Sequence, residues 1–414
     1  MKPKILTTLA TYDRQQFTAD LIAGVTVAMV ALPLSLAIAI ASGAGPEKGL
    51  VTAIVGGFLI SLLGGSRVQI GGPTGAFIVV VFGVIAEFGY DGLVLATMMA
   101  GVIMLAAGLL RAGNLVKYVP EPVINGFTIG IAIIIATTQI KDLLGLTMTQ
   151  PSAEFLAQIE ALWAAKATLN PYALLIGLAT MALILILRRI APRFPGLVVA
   201  IGLASALAAI AALPVDTIFS RFGTLPSTLP LPSLPQITAA RMIELLPSAL
   251  IIAFLASVES LLSAMVADKM IGSRHRPNAE VLAQGFANIG SALFGGLPAT
   301  GAIARTATNV RAGGKTPVAG LVHAVTILLV MLLAAPLAGY LAMPALAGLL
   351  ILTAWNMSEP QHWRGYLRAP KSDRVLLLLT LALTVFTNLT IAIGVGVLIG
   401  LALRFLKGGP AQEQ

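Results

Sequence analysis

The sequence predicts an all-α polytopic membrane protein with fourteen transmembrane segments arranged as a seven-plus-seven inverted repeat. Three observations predict it. First, 57% of the 414 residues are hydrophobic and only 10% are charged. The apolar residues fall in runs close to the ~20 needed to span ~30 Å of hydrocarbon as a helix, where a β-barrel would show shorter alternating segments. Second, the basic residues behind the net charge of +9 sit at the ends of those runs rather than on one soluble module, which argues against nucleic acid. Third, two matched segments of helix-breaking residues, GGPTGAF at Gly71–Phe77 and GGLPATGAIART at Gly295–Thr306, each open an apolar run too short to cross a bilayer. A pair of broken helices in corresponding places of two halves points to a transporter's binding site. Backbone that leaves helix geometry at membrane depth survives only where it is buried in protein or lines a cavity.

The segments of the first half are expected at 20–41, 49–64, 74–86, 93–111, 122–140, 172–188 and 196–213. Those of the second half fall at 247–266, 281–295, 301–311, 317–336, 340–356, 375–388 and 390–406, with 74–86 and 301–311 the short ones. Residues 1–19 form a cytoplasmic N-terminal segment, 20–213 the first repeat, 247–407 the second, and 408–414 a tail. Between the repeats, 214–246 is a linker containing the Pro- and Ser-rich LPSTLPLPSLPQ and a short amphipathic stretch. The first run carries Pro33 in its middle and is too long for the apolar core of a cleaved signal peptide, so it reads as a retained span.

Charge fixes the threading. With the N-terminus in the cytoplasm, Lys48, Lys141, Lys166, Arg221 and Arg241 fall outside and Arg305 falls within the bilayer. The other twenty of the 26 Lys and Arg collect inside, which places both termini in the cytoplasm. Seven segments per half is an odd number, so the second copy runs through the membrane the opposite way. The halves also correspond in spacing: Pro73 follows Pro33 by 40 residues, and Pro298 follows Glu259 by 39.

Two charges stand where charge is expensive, Glu259 in LASVESLLSAM and Arg305 in GAIARTATN. A charge at the bilayer centre costs several kcal/mol by insertion scales, roughly 3, and so calls for a partner or a cavity. Half-helices starting near Thr74 and Gly301 would aim unbonded N–H groups and positive dipole ends at one another. Thr74, Gly75, Ala76 and Phe77 line one end, and Gly301, Ala302, Ile303, Ala304 and Arg305 the other. Arg305 adds a forked donor suited to an oxyanion. Glu259 beside it could take a proton with the anion and release it inside. Sodium, the rival use of this carboxylate, needs several more oxygens. Ser263 offers one, while Ile303 and Ala304 offer no side-chain oxygen.

His323 is expected to be a satisfied helix histidine in preference to a proton relay, and Glu121 a helix-start carboxylate. Phe77 suits a substrate contact or core filling equally. No cysteine is present, no metal or cofactor constellation appears, and GGSRVQIGG lacks the Gly-Lys-Ser/Thr ending of a phosphate loop. An intramembrane enzyme would need a nucleophile–base or metal pair, which cannot be assembled here. A channel would need a continuous path, where the broken helices imply an occluding site.

At these residues the chain resembles the SulP anion permeases, solute carrier family 26, over nearly all of 15–406. The most specific stretch runs from Glu259 to Ala324, and ALPLSLAIAIASGAGPEKGL and SRVQIGGPTGAF also match. The resemblance implies a bacterial member, in the inner membrane, with the uracil-permease fold. Spans 1–4 and 8–11 would form a core domain and spans 5–7 and 12–14 a gate domain. The substrate would sit between spans 3 and 10, flanked by spans 1 and 8, which adds Leu34 and Ile38 to the site. The core would slide against the gate as an elevator, and members are commonly dimers. The resemblance further implies a transmembrane domain without the STAS domain that usually follows, since the chain stops about seven residues after Lys407.

Family members carry sulfate, bicarbonate, chloride, oxalate or dicarboxylates. Many have Gln where this chain has Leu34 and Ser where it has Ala304, so this pocket is less polar. That favours proton-coupled symport of an organic anion such as a C4-dicarboxylate, for example fumarate. Sulfate transport or sodium-coupled bicarbonate transport is the alternative. Sodium-coupled bicarbonate members carry Asp at the Glu259 position and Thr near Ile303. A proton–nucleobase symporter on the same fold is a further alternative, against which Arg305 argues.

Overall fold

The computed structural model describes residues 2–114, 120–148, 154–191 and 195–387, together with 392, 394, 395, 398 and 399. The expected span 390–406 lies almost wholly outside the described residues, and the tail entirely so. The rest is mostly helix. The N-terminal part comprises α1 (Lys4–Thr8), α2 (Arg14–Ala41), α3 (Pro46–Val51) and α4 (Gly57–Leu63), the last two joined by a π-helical turn at Thr52–Gly56. A two-residue strand, β1 (Gly71–Gly72), leads through a 3₁₀ turn at Gly75–Phe77 into α5 (Ile78–Leu109). Then come α6 (Glu121–Leu144), α7 (Phe155–Ala164), α8 (Pro171–Ile190), α9 (Gly196–Ile210) and α10 (Ile218–Phe222). The second half holds α11 (Ala239–Ile271), α12 (Pro277–Leu293), β2 (Thr300–Gly301), α13 (Ile303–Arg311) and α14 (Val318–Ala338). It closes with α15 (Met343–Met357), α16 (Trp363–Arg368) and α17 (Lys371–Phe386).

Among the described residues, seven helical stretches are long and apolar enough to cross a membrane: Arg14–Ala41, Pro46–Leu63, Gly75–Leu109, Glu121–Leu144, Pro171–Ile190, Ala239–Ile271 and Val318–Ala338. They outlast the expected segments for local reasons. The runs 74–86 and 93–111 both lie in α5, which is two helices meeting at Gly89, whose φ of 73° and ψ of 176° leave helix geometry, as glycine can without strain. The amphipathic stretch assigned to the linker is the first part of α11, which continues straight through Pro247. Thr238 caps that helix, its side chain accepting from the N–H of Arg241. The linker also holds α10, closed by a reciprocal capping box between Thr217 and Ser220. Asp13 caps α2 and Asn170 caps α8, and Gly145 and Gly272 end α6 and α11 in the left-handed conformation. Glu121 stands in the first turn of α6, where a carboxylate complements the helix dipole.

Packing is densest within two sets of helices. In one set α5 packs on α12 and α11, α2 on α14, α4 on α12 and α14, and α13 on α11. In the other, α6 packs on α17 and α15, and α8 on α15 and α9. Contacts between the sets are sparser and run mainly from α2 to α15 and α9 and from α5 to α6.

Candidate functional site

The two glycine-rich segments cross one another. β1 and β2 pair antiparallel, with Gly71 opposite Gly301 and Gly72 opposite Thr300. The Ala302 N–H donates to the Ile70 carbonyl at 2.9 Å and extends the pairing. Beyond β1, Thr74 is extended and the chain turns at Gly75 into the start of α5. Beyond β2, Ala302 is extended and α13 begins directly at Ile303. Two helix starts therefore leave one small sheet, and the first-turn N–H groups of each have no partner within their helix.

Thr74 and Glu259 meet at this crossing. The Thr74 hydroxyl donates to Glu259 Oε2 at 2.9 Å, joining the start of α5 to the middle of α11. Arg305, the third residue of α13, is 1% exposed. Its Nη2 donates to Ser35 Oγ at 3.1 Å, and that hydroxyl donates to the Ala31 carbonyl of its own helix at 2.7 Å. Arg305 Nε and Nη1 are buried without a partner. The guanidinium lies against Gly72: a Cβ there would stand 2.1 Å from Nη1. Arg305 and Glu259 are near enough for their charges to interact, yet no described ion pair joins them. A buried cation with two idle donors and no carboxylate bonded to it is the arrangement that an incoming anion would complete.

The other expected site residues fall differently. Gly301 and Ala302 are buried in the crossing, while Ile303 and Ala304 are exposed. Gly75 comes close to the second set of helices, since a Cβ there would lie 2.9 Å from Met357 Sδ and 3.7 Å from Ile135 Cδ1. Ala76 and Leu34 are half-buried. Phe77 and Ile38 are each 2% exposed and belong to the main apolar core, so Phe77 fills core here. A cavity of about 770 Å³ lies between the part of α5 before Gly89 and helices α6, α7, α11 and α17, lined among others by Val80, Glu87, Ile134, Ile251 and Thr384. None of the sequence-predicted site residues lines it.

One expectation is corrected. His323 is fully buried on α14, and neither ring nitrogen has a partner, so it is not a satisfied histidine. The potential sodium ligand Ser263 instead directs its hydroxyl at Thr306 Oγ1, 3.3 Å away on α13. Sequence reasoning missed Ser35, Gln69, Ser260 and Glu280. Gln69 Nε2 donates to Ser260 Oγ at 2.7 Å, directly behind the crossing. The one signal available was the spacing of Glu280, Gln284 and Asn288 at i, i+4 and i+8 in an otherwise apolar run, which puts three polar groups on one helix face.

The profile of the sulfate permease family matches residues 17–380. The chain belongs to that family. It is therefore an anion transporter of the SulP/SLC26 group, a multi-pass membrane protein and not an enzyme. The chain spans about seven-tenths of the length of curated relatives that it matches. The putative sulfate transporter YvdB of Bacillus subtilis is 45% identical over 390 residues, 94% of this chain and 73% of that protein. The bicarbonate transporter BicA of a Picosynechococcus strain is 32% identical, over 95% of this chain and 71% of its own length. Among solved structures, the transmembrane domain of a cyanobacterial BicA superposes with a TM-score of 0.82 at 31% identity, covering 94% of this chain and 98% of that domain. Murine solute carrier 26 family member A9, described as an inward-facing anion transporter, superposes at 0.87 with 19% identity, over 97% and 71%, and shows the shared fold.

Proposed function

We propose that this chain is a secondary active anion transporter that binds its substrate between the starts of α5 and α13 and couples its movement to a proton taken by Glu259. The observation that carries the reading is Arg305: a buried guanidinium with two unpartnered donors, beside a carboxylate that it does not pair with. The anion supplies the missing charge. Thr74, Gly75, Ala76, Gly301, Ala302, Ile303 and Ala304 surround it, with Leu34 and Ile38 behind. Glu259 protonates as the anion enters, so that the loaded site carries one negative charge fewer and its transfer through the membrane is less expensive. Protons suit the site better than sodium, which needs several more oxygens, because Ile303 and Ala304 offer no side-chain oxygen.

The architecture we infer is fourteen spans in a seven-plus-seven inverted repeat, with both termini cytoplasmic in a bacterial inner membrane. The two broken half-helices lie at spans 3 and 10. The set built on α2, α4, α5 and α11–α14 is the core domain, and the set built on α6, α8, α9, α15 and α17 is the gate. The sparse packing between the sets supports an elevator motion of one against the other, and the family likeness supports a homodimer.

The preferred substrate is an organic anion of the C4-dicarboxylate class, because Leu34, Ile303 and Ala304 make the lining apolar. The relatives named as sulfate and bicarbonate transporters favour an inorganic oxyanion as the second reading. Uptake of labelled fumarate, succinate, sulfate and bicarbonate into proteoliposomes under an imposed inward proton gradient separates them. Gradient-driven uptake should fall at least tenfold in both Glu259→Gln and Arg305→Ala. Normal transport by Arg305→Ala refutes the site, and dependence on sodium without response to pH refutes the coupling.

A further inference from the structure

Behind the crossing lies a buried polar junction that the transport reading does not use. It is centred on Glu280, which is fully buried near the start of α12. Its Oε2 accepts from the backbone N–H groups of Gly65 at 2.8 Å and Ser66 at 3.2 Å, in the loop leading to β1. Its Oε1 accepts from Ser260 Oγ and from Gln284 Nε2, each at 2.9 Å. Ser260 Oγ in turn accepts from Gln69 Nε2 and from Gln284 Nε2, each at 2.7 Å. One carboxylate and one hydroxyl thus join three stretches of chain: the loop before β1, through Gly65, Ser66 and Gln69, the middle of α11, and α12.

Each of these stretches borders the site. Ser260 follows Glu259 on α11. Gln69 stands two residues before β1, and its amide fills the space beside Gly301: a Cβ on Gly301 would fall 1.5 Å from Gln69 Nε2. Two turns further along α12, Asn288 holds the residue before β2 at both ends. Its Nδ2 donates to the Ala299 carbonyl at 2.8 Å, and its Oδ1 accepts from the Ala299 N–H at 3.0 Å. Burying a carboxylate without a cation is unfavourable unless its lone pairs are filled, and here four donors fill them.

We infer that Glu280, Ser260 and Gln69 are positioning residues for transport: through their hydrogen bonds they set where Glu259 and the β1–β2 crossing stand relative to the anion. They do not touch the anion; they act on the residues that do. A helix of small apolar residues at these positions would pack as well but would leave α11 free to rotate or slide past the crossing by fractions of an ångström. Such displacements weaken a site built from directed donors.

This inference rests on the proposed site, and the test separates the two. Anion uptake is measured in proteoliposomes at graded concentrations of the transported anion, for wild type, Ser260→Ala, Ser260→Thr and Arg305→Ala, with reconstituted protein quantified. Ser260→Ala removes the hydroxyl that bridges Glu280, Gln284 and Gln69, and its KM should rise at least fivefold. Ser260→Thr keeps the hydroxyl and should return KM to within twofold of wild type. A purely structural role would lower the amount of folded protein, and with it the maximal rate, and leave KM unchanged; that result overturns the inference. Loss of uptake in Arg305→Ala with wild-type KM in Ser260→Ala sinks the junction and spares the site. Normal uptake in Arg305→Ala sinks the site first. Should Ser260→Ala fail to reconstitute, Gln69→Glu replaces the donating amide with an acceptor facing Ser260 and is read in the same way.

Discussion

Buried polar side chains are handled differently in the two sets of helices. Around α6, α8 and α17, Thr180, Thr380 and Thr384 turn their hydroxyls back to carbonyls of their own helices, at Ile176, Leu376 and Thr380. Around α2, α11, α12 and α13, Ser35 and Ser42 do the same, but several other buried polar groups reach across the chain. Asn309 donates to the Val68 carbonyl, Thr300 to Ala256, Thr306 accepts from the Ile70 N–H, and Thr52 accepts from that of Leu297. The first kind of bond satisfies a hydroxyl and joins nothing. The second kind ties separate elements into one unit. The difference teaches that the crossing is held in place by directed bonds, while the other set relies on side-chain packing, with exceptions such as Ser205, which accepts from the Ala342 N–H.

The strongest way to break the comparison is at Gly72. Its φ of 149° disfavours any side chain, and a Cβ would meet Arg305 Nη1. The arginine end is flexible, so Gly72→Ala should fold but drive the guanidinium away from Ser35. Uptake should drop at least tenfold with normal membrane abundance. A variant with wild-type uptake would show that Arg305 does not need this seat.

Next comes Asn288. Replacing it with Ala leaves both the N–H and the carbonyl of Ala299 buried without these partners, at about 1–3 kcal/mol for each lost partner. Thr380→Val removes one hydroxyl from a carbonyl on its own helix and keeps the β-branch against Gly126, so the effect should stay under about 1 kcal/mol. Thermal denaturation of the two variants in one detergent checks the contrast. Equal losses would mean that cross-element bonds carry no special weight.

Much of this was legible in the chain. Apolar runs, the two glycine-rich breaks and the isolated Glu259 and Arg305 can all be read locally, because each depends on composition within a few residues. The partners were not legible. Ser35 lies 270 residues from Arg305, and Gln69 lies 191 from Ser260; no local periodicity encodes such pairings. The separation of 74–86 from 93–111 was legible too, because Gly89 takes the backbone out of helix geometry between them. The continuation of α11 through Pro247 turned on packing against α5, which outweighs one missing N–H. His323 was misjudged because a sequence shows the residue type and not whether the fold brings it a partner.

The smallest expected effect is at the end of the cross-tied set where α2 begins. Asp20, fully buried, accepts from the N–H groups of Lys315 at 2.7 Å and Thr316 at 3.1 Å, from the Thr316 hydroxyl, and from Tyr12 at 3.2 Å. Burial, and then the Asp20 charge beside it, push the Tyr12 phenol up to about 12 from its usual value near 10. A raised folded pKa means that the fold prefers the protonated phenol. Its contribution is complete below about pH 10 and is lost as pH rises from there toward about 12. Apparent stability should therefore decline between these values in wild type, on top of any general alkaline loss, and the decline should be shallower in Tyr12→Phe, which has no phenol to ionise. At neutral pH the same variant should differ little from wild type, because Asp20 keeps its two backbone donors and the Thr316 hydroxyl. Identical alkaline profiles for the two proteins would place Tyr12 outside the network and leave Asp20 tied to the α13–α14 turn alone.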